Sequence, residues 1–342
     1  MKRHLSMLLL CAWTVSLLVS CGKGRKGLLT SVSTGRPYEV LVVAETDFWD
    51  RPAGKALYRV LDTDVPGLPQ SERSFRLMRT SPDGFDATLR LVRNIIVVEV
   101  DAAKYSQAAF RYAKDVYASP QVILTLQAPD EVSLAAFVEA HGASLVRFLT
   151  QVEMNRSIRA LSEEHNMYVS AAVQRLFGGD IWLPAELVAS KEGTGFFWAG
   201  TNAATDDRNF VMYSYPYAGG EALTKAGFVC KRDSVMKVNI PGARSGMYMA
   251  TDSLMTDVRL LQLRGRQGME VRGLWYMKGD FMGGPFVAHV RVDEARRRMV
   301  VAEVFVYAPG RLKRDLMRGM EASLYTWRLS GETENEIINH KE

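Results

Sequence analysis

The sequence predicts an α+β fold, with mixed, mainly antiparallel sheets and helices packed on their outer faces. Three observations predict it. Apolar runs of strand length, such as Asn94–Asp101 and Met299–Tyr307, recur along the chain. Longer stretches with helical spacing, above all 130–164, lie among them. The two kinds are mixed without strict alternation, the pattern of helices laid on mixed sheets.

The elements follow in order. Residues 21–37 are rich in Gly, Ser, Thr and basic side chains and read as a tether,. Tyr38–Ala44 is a nearly continuous apolar run, hence a buried strand, and Ala53–Leu61 is helical,. Asp62–Pro69 breaks regular structure,. Ser74–Arg79 reads as a strand and Phe85–Val92 as a short helix after Pro82-Asp83-Gly84. Asn94–Asp101 is the clearest strand of this half, followed by a helix at Tyr105–Tyr117 and a strand at Gln121–Leu126. One or two long helices span 130–164, the first capped by Asp130 or Ser133,.

A second half, 165–329, opens with a short amphipathic helix at Val169–Phe177. Strands are expected at Ile181–Val188, Gly195–Trp198 and Phe210–Tyr217, and a helix at Thr224–Val238. The stretch 258–307 is the most β-like, and its last strand is apolar on both faces, as a central strand should be,. Gly310–Trp327 closes with a helix, and 330–342 is a polar tail,. The likeness of Arg93-Asn94-Ile95-Ile96-Val97-Val98-Glu99-Val100 to Arg298-Met299-Val300-Val301-Ala302-Glu303-Val304 points to two related halves,.

The first 20 residues are not read as fold. Lys2 and Arg3 precede an apolar run, Leu5–Val19, too short to span a bilayer but suited to a secretory signal,. Leu18-Val19-Ser20-Cys21 resembles the bacterial lipobox at each of its four positions. That resemblance implies cleavage before Cys21, a diacylglycerol thioether on its sulfur and an acylated amine. Several acyl chains hold firmly where one alone binds marginally. Loss of Lys2 and Arg3 lowers the formal charge from +5 to +3, with no concentrated basic stripe, so nucleic acid is not an expected partner,.

Of the 3 cysteines, Cys11 leaves with the signal and Cys21 takes lipid. Cys230 remains, without a disulfide partner in the mature chain, and reads as a small buried hydrophobe.

The chemical motifs are sparse. Gly22–Gly27 spells G-x-G-x-x-G with no strand before it or helix after it, so it cradles no phosphate,. Ser234-Val235-Met236-Lys237 spells S-x-x-K without its partner signatures,. No H-E-x-x-H or Cys cluster suggests a metal, and no cofactor is expected,. His289 alternates along a strand and reads as a core histidine or a functional one. Glu303 shares a strand face with Met299, Val301, Phe305 and Tyr307,. A carboxylate there is either paired with Arg or Lys, or tuned as an acid or base. The aromatics Phe196-Phe197-Trp198, Tyr213, Tyr215, Tyr217 and Trp275-Tyr276 fit a core face or a groove for a sugar or peptide,. Near them Asp280, Gly283 and Gly284 form, with Trp275, the candidate ligand-facing loop, where backbone could approach a ligand,. Asp233-Ser234-Val235 and Asp252-Ser253-Leu254 resemble a short O-glycosylation acceptor of Bacteroidota.

Several short motifs together carry a wider resemblance: Leu68-Pro69-Gln70 with Glu72 and Phe75, Arg93-Asn94-Ile95, Glu153 with Arg156, Tyr213–Tyr217, Gly283-Gly284-Pro285-Phe286, and Tyr307-Ala308-Pro309. Over about 38–328 the chain resembles an uncharacterised family of Bacteroidota lipoproteins, a domain of unknown function. The resemblance brings no activity with it. It does imply an address, because surface-displayed lipoproteins of these bacteria tend to carry acidic residues after the lipidated cysteine. Here Lys23, Arg25 and Lys26 stand there, so the periplasmic face of the outer membrane is expected. The expected role is a non-enzymatic binding or structural component of the envelope, with an envelope protein or glycan as partner. The alternatives are a hydrolase using Glu303 with His289 or Asp280, and a lipid or lipoprotein carrier.

Overall fold

The computed structural model describes residues 30–217 and 223–332; Cys21, the Gly-rich run after it and the tail beyond Glu332 lie outside the described residues. The fold is α+β.

The first half runs β1 (Ser31–Val32), β2 (Glu39–Val43), α1 (Pro52–Leu61), β3 (Arg76–Thr80), β4 (Asn94–Val100), β5 (Ala109–Lys114), β6 (Ala118–Ser119), β7 (Val122–Ala128) and α2 (Glu131–Glu163). β1 and β6 form a small parallel pair. The other five strands form one sheet in the order β3-β2-β4-β7-β5. Four are parallel and only β5 is antiparallel, which explains the near-continuous apolar runs of β2 and β4,. Val40, Val42, Ile96 and Leu124 pack under α1 and α2, while Leu41, Val43 and Ile95 meet Phe85 and Leu89 of the loop before β4. α2 is capped by Asp130, whose carboxylate accepts the Ser133 N–H at 2.7 Å,. By length and composition this helix could cross a bilayer; here it lies against α1 and β7.

Tyr105–Tyr117, expected to be helical, contains the edge strand β5 instead. An edge strand needs only one apolar face, and β5 supplies it with Phe110 and Tyr112, whose rings lie 6.2 and 4.9 Å from that of Phe148 on α2. Of the expected helix at Phe85–Val92, only a 3-10 turn at Leu89–Leu91 forms.

The second half runs α3 (Met167–Phe177), β8 (Ala189–Gly193), β9 (Phe196–Gly200), β10 (Asp207–Pro216), α4 (Lys225–Asn239), β11 (Tyr248–Leu263), β12 (Arg266–Lys278), β13 (Gly283–Asp293), β14 (Arg298–Tyr307) and α5 (Arg314–Thr326). Its seven strands form an antiparallel sheet in the order β11-β12-β13-β14-β10-β9-β8. α3 and α5 cover one face and α4 the other, so β14 is buried on both. Ile181–Val188 is not a strand: Pro184 cannot join a ladder, and Ile181, Leu183 and Leu187 plug the core beneath α3. The two halves differ in strand order and direction. Arg93–Val100 and Arg298–Val304 are alike because each supplies a central strand, not because one topology is repeated.

α5 joins the halves. Its Ala322 and Tyr325 pack with Met154, Ile158 and Leu161 of α2. Its N-terminus has no side-chain cap of its own. Glu72 fills that place from the first half, accepting the Lys313 and Arg314 N–H groups at 2.7 and 2.8 Å,. Arg318 donates to the Ser74 carbonyl at 2.8 Å and lies 4.1 Å over the Tyr38 ring.

Candidate functional site

Strand alternation decides the fate of the expected carboxylate site. Along β13 and β14, Phe286, Ala288, Val290, Val301 and Phe305 face α4, whereas Val287, Val300, Ala302 and Val304 face α3 and α5,. Glu303 falls in the first set. His289 pairs with Ala302 and falls in the second. The sheet therefore separates Glu303 from His289, and Asp280 sits in the hairpin turn beyond Lys278. The three do not share a pocket.

Glu303 is sealed by Arg232 of α4, and both side chains are fully buried. Arg232 donates from Nε at 2.9 Å and from Nη2 at 2.7 Å to the carboxylate, and from Nη1 to the Thr251 hydroxyl at 2.9 Å. That hydroxyl donates onward to Asp233 at 2.6 Å. The guanidinium also lies 4.3 Å from the centre of the Phe286 ring. Burial pushes the Glu303 carboxyl above its ordinary pKa, against the pull of Arg232. Burial acts to lower Arg232 too, but Glu303 more than offsets it and holds the guanidinium above its usual value. An arginine does not give up its proton, so the buried guanidinium needs the Glu303 carboxylate beside it as counter-charge,.

His289 lies in a second network, between α5 and the sheet. Its Nε2 is 3.6 Å from Glu270 Oε2, too long for a hydrogen bond, and its ring meets Tyr325 edge-on at 4.9 Å,. Glu270 accepts from Arg272 at 2.8 Å, Arg259 at 2.9 Å and the Tyr325 hydroxyl at 3.2 Å. Arg272 bridges on to Glu321 of α5. Burial opposes the charge on Glu270, but His289 and Arg272 outweigh it, so the carboxyl is held far below its ordinary range. These contacts stitch α5 to β12 and β13. The spacing Glu270-x-Arg272 on a strand and Glu321 with Tyr325 one helical turn apart was visible in the sequence, but nothing there paired the two.

The candidate ligand-facing loop is divided by the structure. Trp275 is 3% exposed and packs on Phe305 at 5.6 Å. A Cβ on Gly284 would lie 2.0 Å from the Val306 carbonyl oxygen, and one on Gly283 would lie 2.9 Å from that of Trp275. These glycines permit close approach of the chain to itself, not to a ligand. Only the turn between the strands projects: Gly279 at φ 86°, Asp280 and Phe281. Asp280 is spent within it, accepting the Phe281 N–H at 2.6 Å. Beside this turn an open depression of about 360 Å³ is lined by Lys237 and residues 241–248. Another, about 490 Å³, lies by His165, Gln174, Asp180 and Arg328.

The aromatic groups also divide. Phe196, Phe197 and Tyr213 belong to the core, while Trp198, Tyr215 and Tyr217 are half-buried. Cys230, expected to be buried, is exposed. α4 buries Phe228, Arg232 and Met236 at i, i+4 and i+8, and Cys230 points away from that stripe,. Ser234 and Ser253 are both exposed. Among the described residues no three His, Cys, Asp or Glu side chains are grouped to hold a metal ion.

Residues 33–162 match a family described as a domain of unknown function (DUF8532), and residues 166–326 match another, also a domain of unknown function (DUF4837). The chain joins two domains of unknown function. Their seam falls between α2 and α3. No curated protein and no solved structure matches the chain.

Proposed function

We propose that the chain is a lipid-anchored component of the cell envelope that binds a partner and carries out no reaction of its own. What carries the non-catalytic part is the sheet between Glu303 and His289, with the neighbouring carboxylates sealed by arginines on either face. General acid–base work needs a carboxyl within reach of substrate, and these carboxyls are spent on holding helices to strands. A lipid carrier needs an enclosed apolar cavity, whereas both faces of this sheet are filled with side chains.

The anchoring part rests on the sequence: Lys2 and Arg3, the apolar run and Leu18–Cys21,. The basic run after Cys21 favours the periplasmic face of the outer membrane, and the partner is then an envelope protein or glycan. Cells fed alkyne-tagged palmitate should label the protein, and Cys21→Ala should lose both label and membrane association. Label retained in that variant would overturn the anchor. Protease added to intact cells should leave the protein whole; its release would move it to the cell surface. Cross-linking in cells that recovers no specific partner would sink the binding role.

A further inference from the structure

Two turns meet at one end of the second half. The loop Pro241–Met247 follows α4, and the turn Lys278–Met282 joins β12 to β13. They are packed together: a Cβ on Gly279 would lie 3.2 Å from Met247 Cγ, and Tyr248 pairs with Lys278 in the ladder. The tip they form is basic. The ammonium groups of Lys237 and Lys278 lie 5.2 and 5.5 Å from the centre of the Tyr248 ring, and Arg244 stands in the adjoining loop. Among the described residues none of these three cations has a carboxylate partner, and the nearby Asp280 is turned onto its own backbone. The depression of about 360 Å³ opens between Lys237, Arg244 and Tyr248.

The same tip is apolar at its summit. Phe281 is fully exposed, and Val238, beside Lys237, is 76% exposed. A free phosphate would be held by the cations alone and would leave Phe281 without a role. An anionic bilayer uses both: acyl chains take the aromatic ring, headgroup phosphates take the cations, and long Lys and Arg stems bridge the two depths.

We propose that this tip is a membrane contact, in which Phe281 enters the acyl region and Lys237, Arg244 and Lys278 hold the phosphate of a lipid headgroup. The inference extends the tethered reading, which would keep a bilayer within reach, but it does not need the acyl group.

The test uses the unacylated chain from Gly22 to Glu342, which keeps every described residue and lacks Cys21. It is sedimented with phosphatidylcholine vesicles, with and without phosphatidylglycerol. Binding is expected only with the anionic lipid, weakened about fivefold by each of Lys237→Gln, Arg244→Gln and Lys278→Gln. Phe281→Ser should weaken it about tenfold. Lys104→Gln, on the first half and beside Asp101, should change nothing. Circular dichroism confirms that each variant is folded. Absence of vesicle binding overturns the proposal, as does binding that the four tip variants leave unchanged. Binding of inorganic phosphate lost in the lysine variants, with vesicle binding indifferent to Phe281→Ser, would make this a site for a soluble phosphate and equally overturn it. A failed anchor is read separately, by acyl label at Cys21 in cells, so the two readings can fail independently.

Discussion

Glu303 occupies a strand position whose neighbours on the same face, Val301 and Phe305, belong to the core. The sequence shows why that is costly but not what relieves it, because Arg232 lies 71 residues away on a helix. Glu303→Gln removes the counter-charge of a buried guanidinium and should cost about 3–5 kcal/mol in urea denaturation. Replacing both partners together, Arg232→Met with Glu303→Leu, should recover most of that, since no charge then needs desolvation. A Glu303→Gln protein as stable as the wild type would show that the pair is not sealed. Glu270 makes the opposite prediction with pH. Its carboxyl is held low in the folded state, so the stability it contributes is present above the unfolded value of about 4.3 and is lost as pH falls through the folded one. The stability difference between wild type and Glu270→Gln should therefore shrink from pH 7 toward pH 3. A constant difference would rule out the linkage.

Among the elements, local signals were legible where one segment contains its own explanation. Asp130 caps α2 from an adjacent residue, and β14 is central because both of its faces are apolar. β5 was missed because an edge strand with one apolar face has too few apolar residues to distinguish its period from a helix,. α5 marks the limit of local reading. Its cap, Glu72, arrives from 241 residues away. Glu72→Ala should lower stability by about 1–2 kcal/mol and speed hydrogen exchange at the Lys313 and Arg314 amides. Protection retained there would mean that the cap is dispensable.

Across the whole molecule, the two domains of unknown function are two sheets of different topology, held together by α5 with Trp182 against α2 and Leu68 against the core of the second half. α5 belongs by sequence to the second half, yet Ala322 and Tyr325 pack on α2 of the first, and Arg318 bonds to Ser74. The fragment 166–332 made alone would expose that surface and lose the Glu72 cap. It should show a broadened thermal transition and self-association on size exclusion, reversed when residues 30–165 are supplied in trans. A monomeric fragment melting as sharply as the whole chain would show that the halves are independent.

The sequence by itself determined the α+β class, most of the strands and the status of Glu303 as a carboxylate needing a partner, because each is encoded within a short window. Only the tertiary structure decided that Glu303 and His289 lie on opposite faces, that Gly283 and Gly284 pack against their own chain, and that Phe281 and three cations meet at one tip. Those facts depend on strand register and on contacts between distant segments, where a shift of a single residue would exchange the two faces of the sheet.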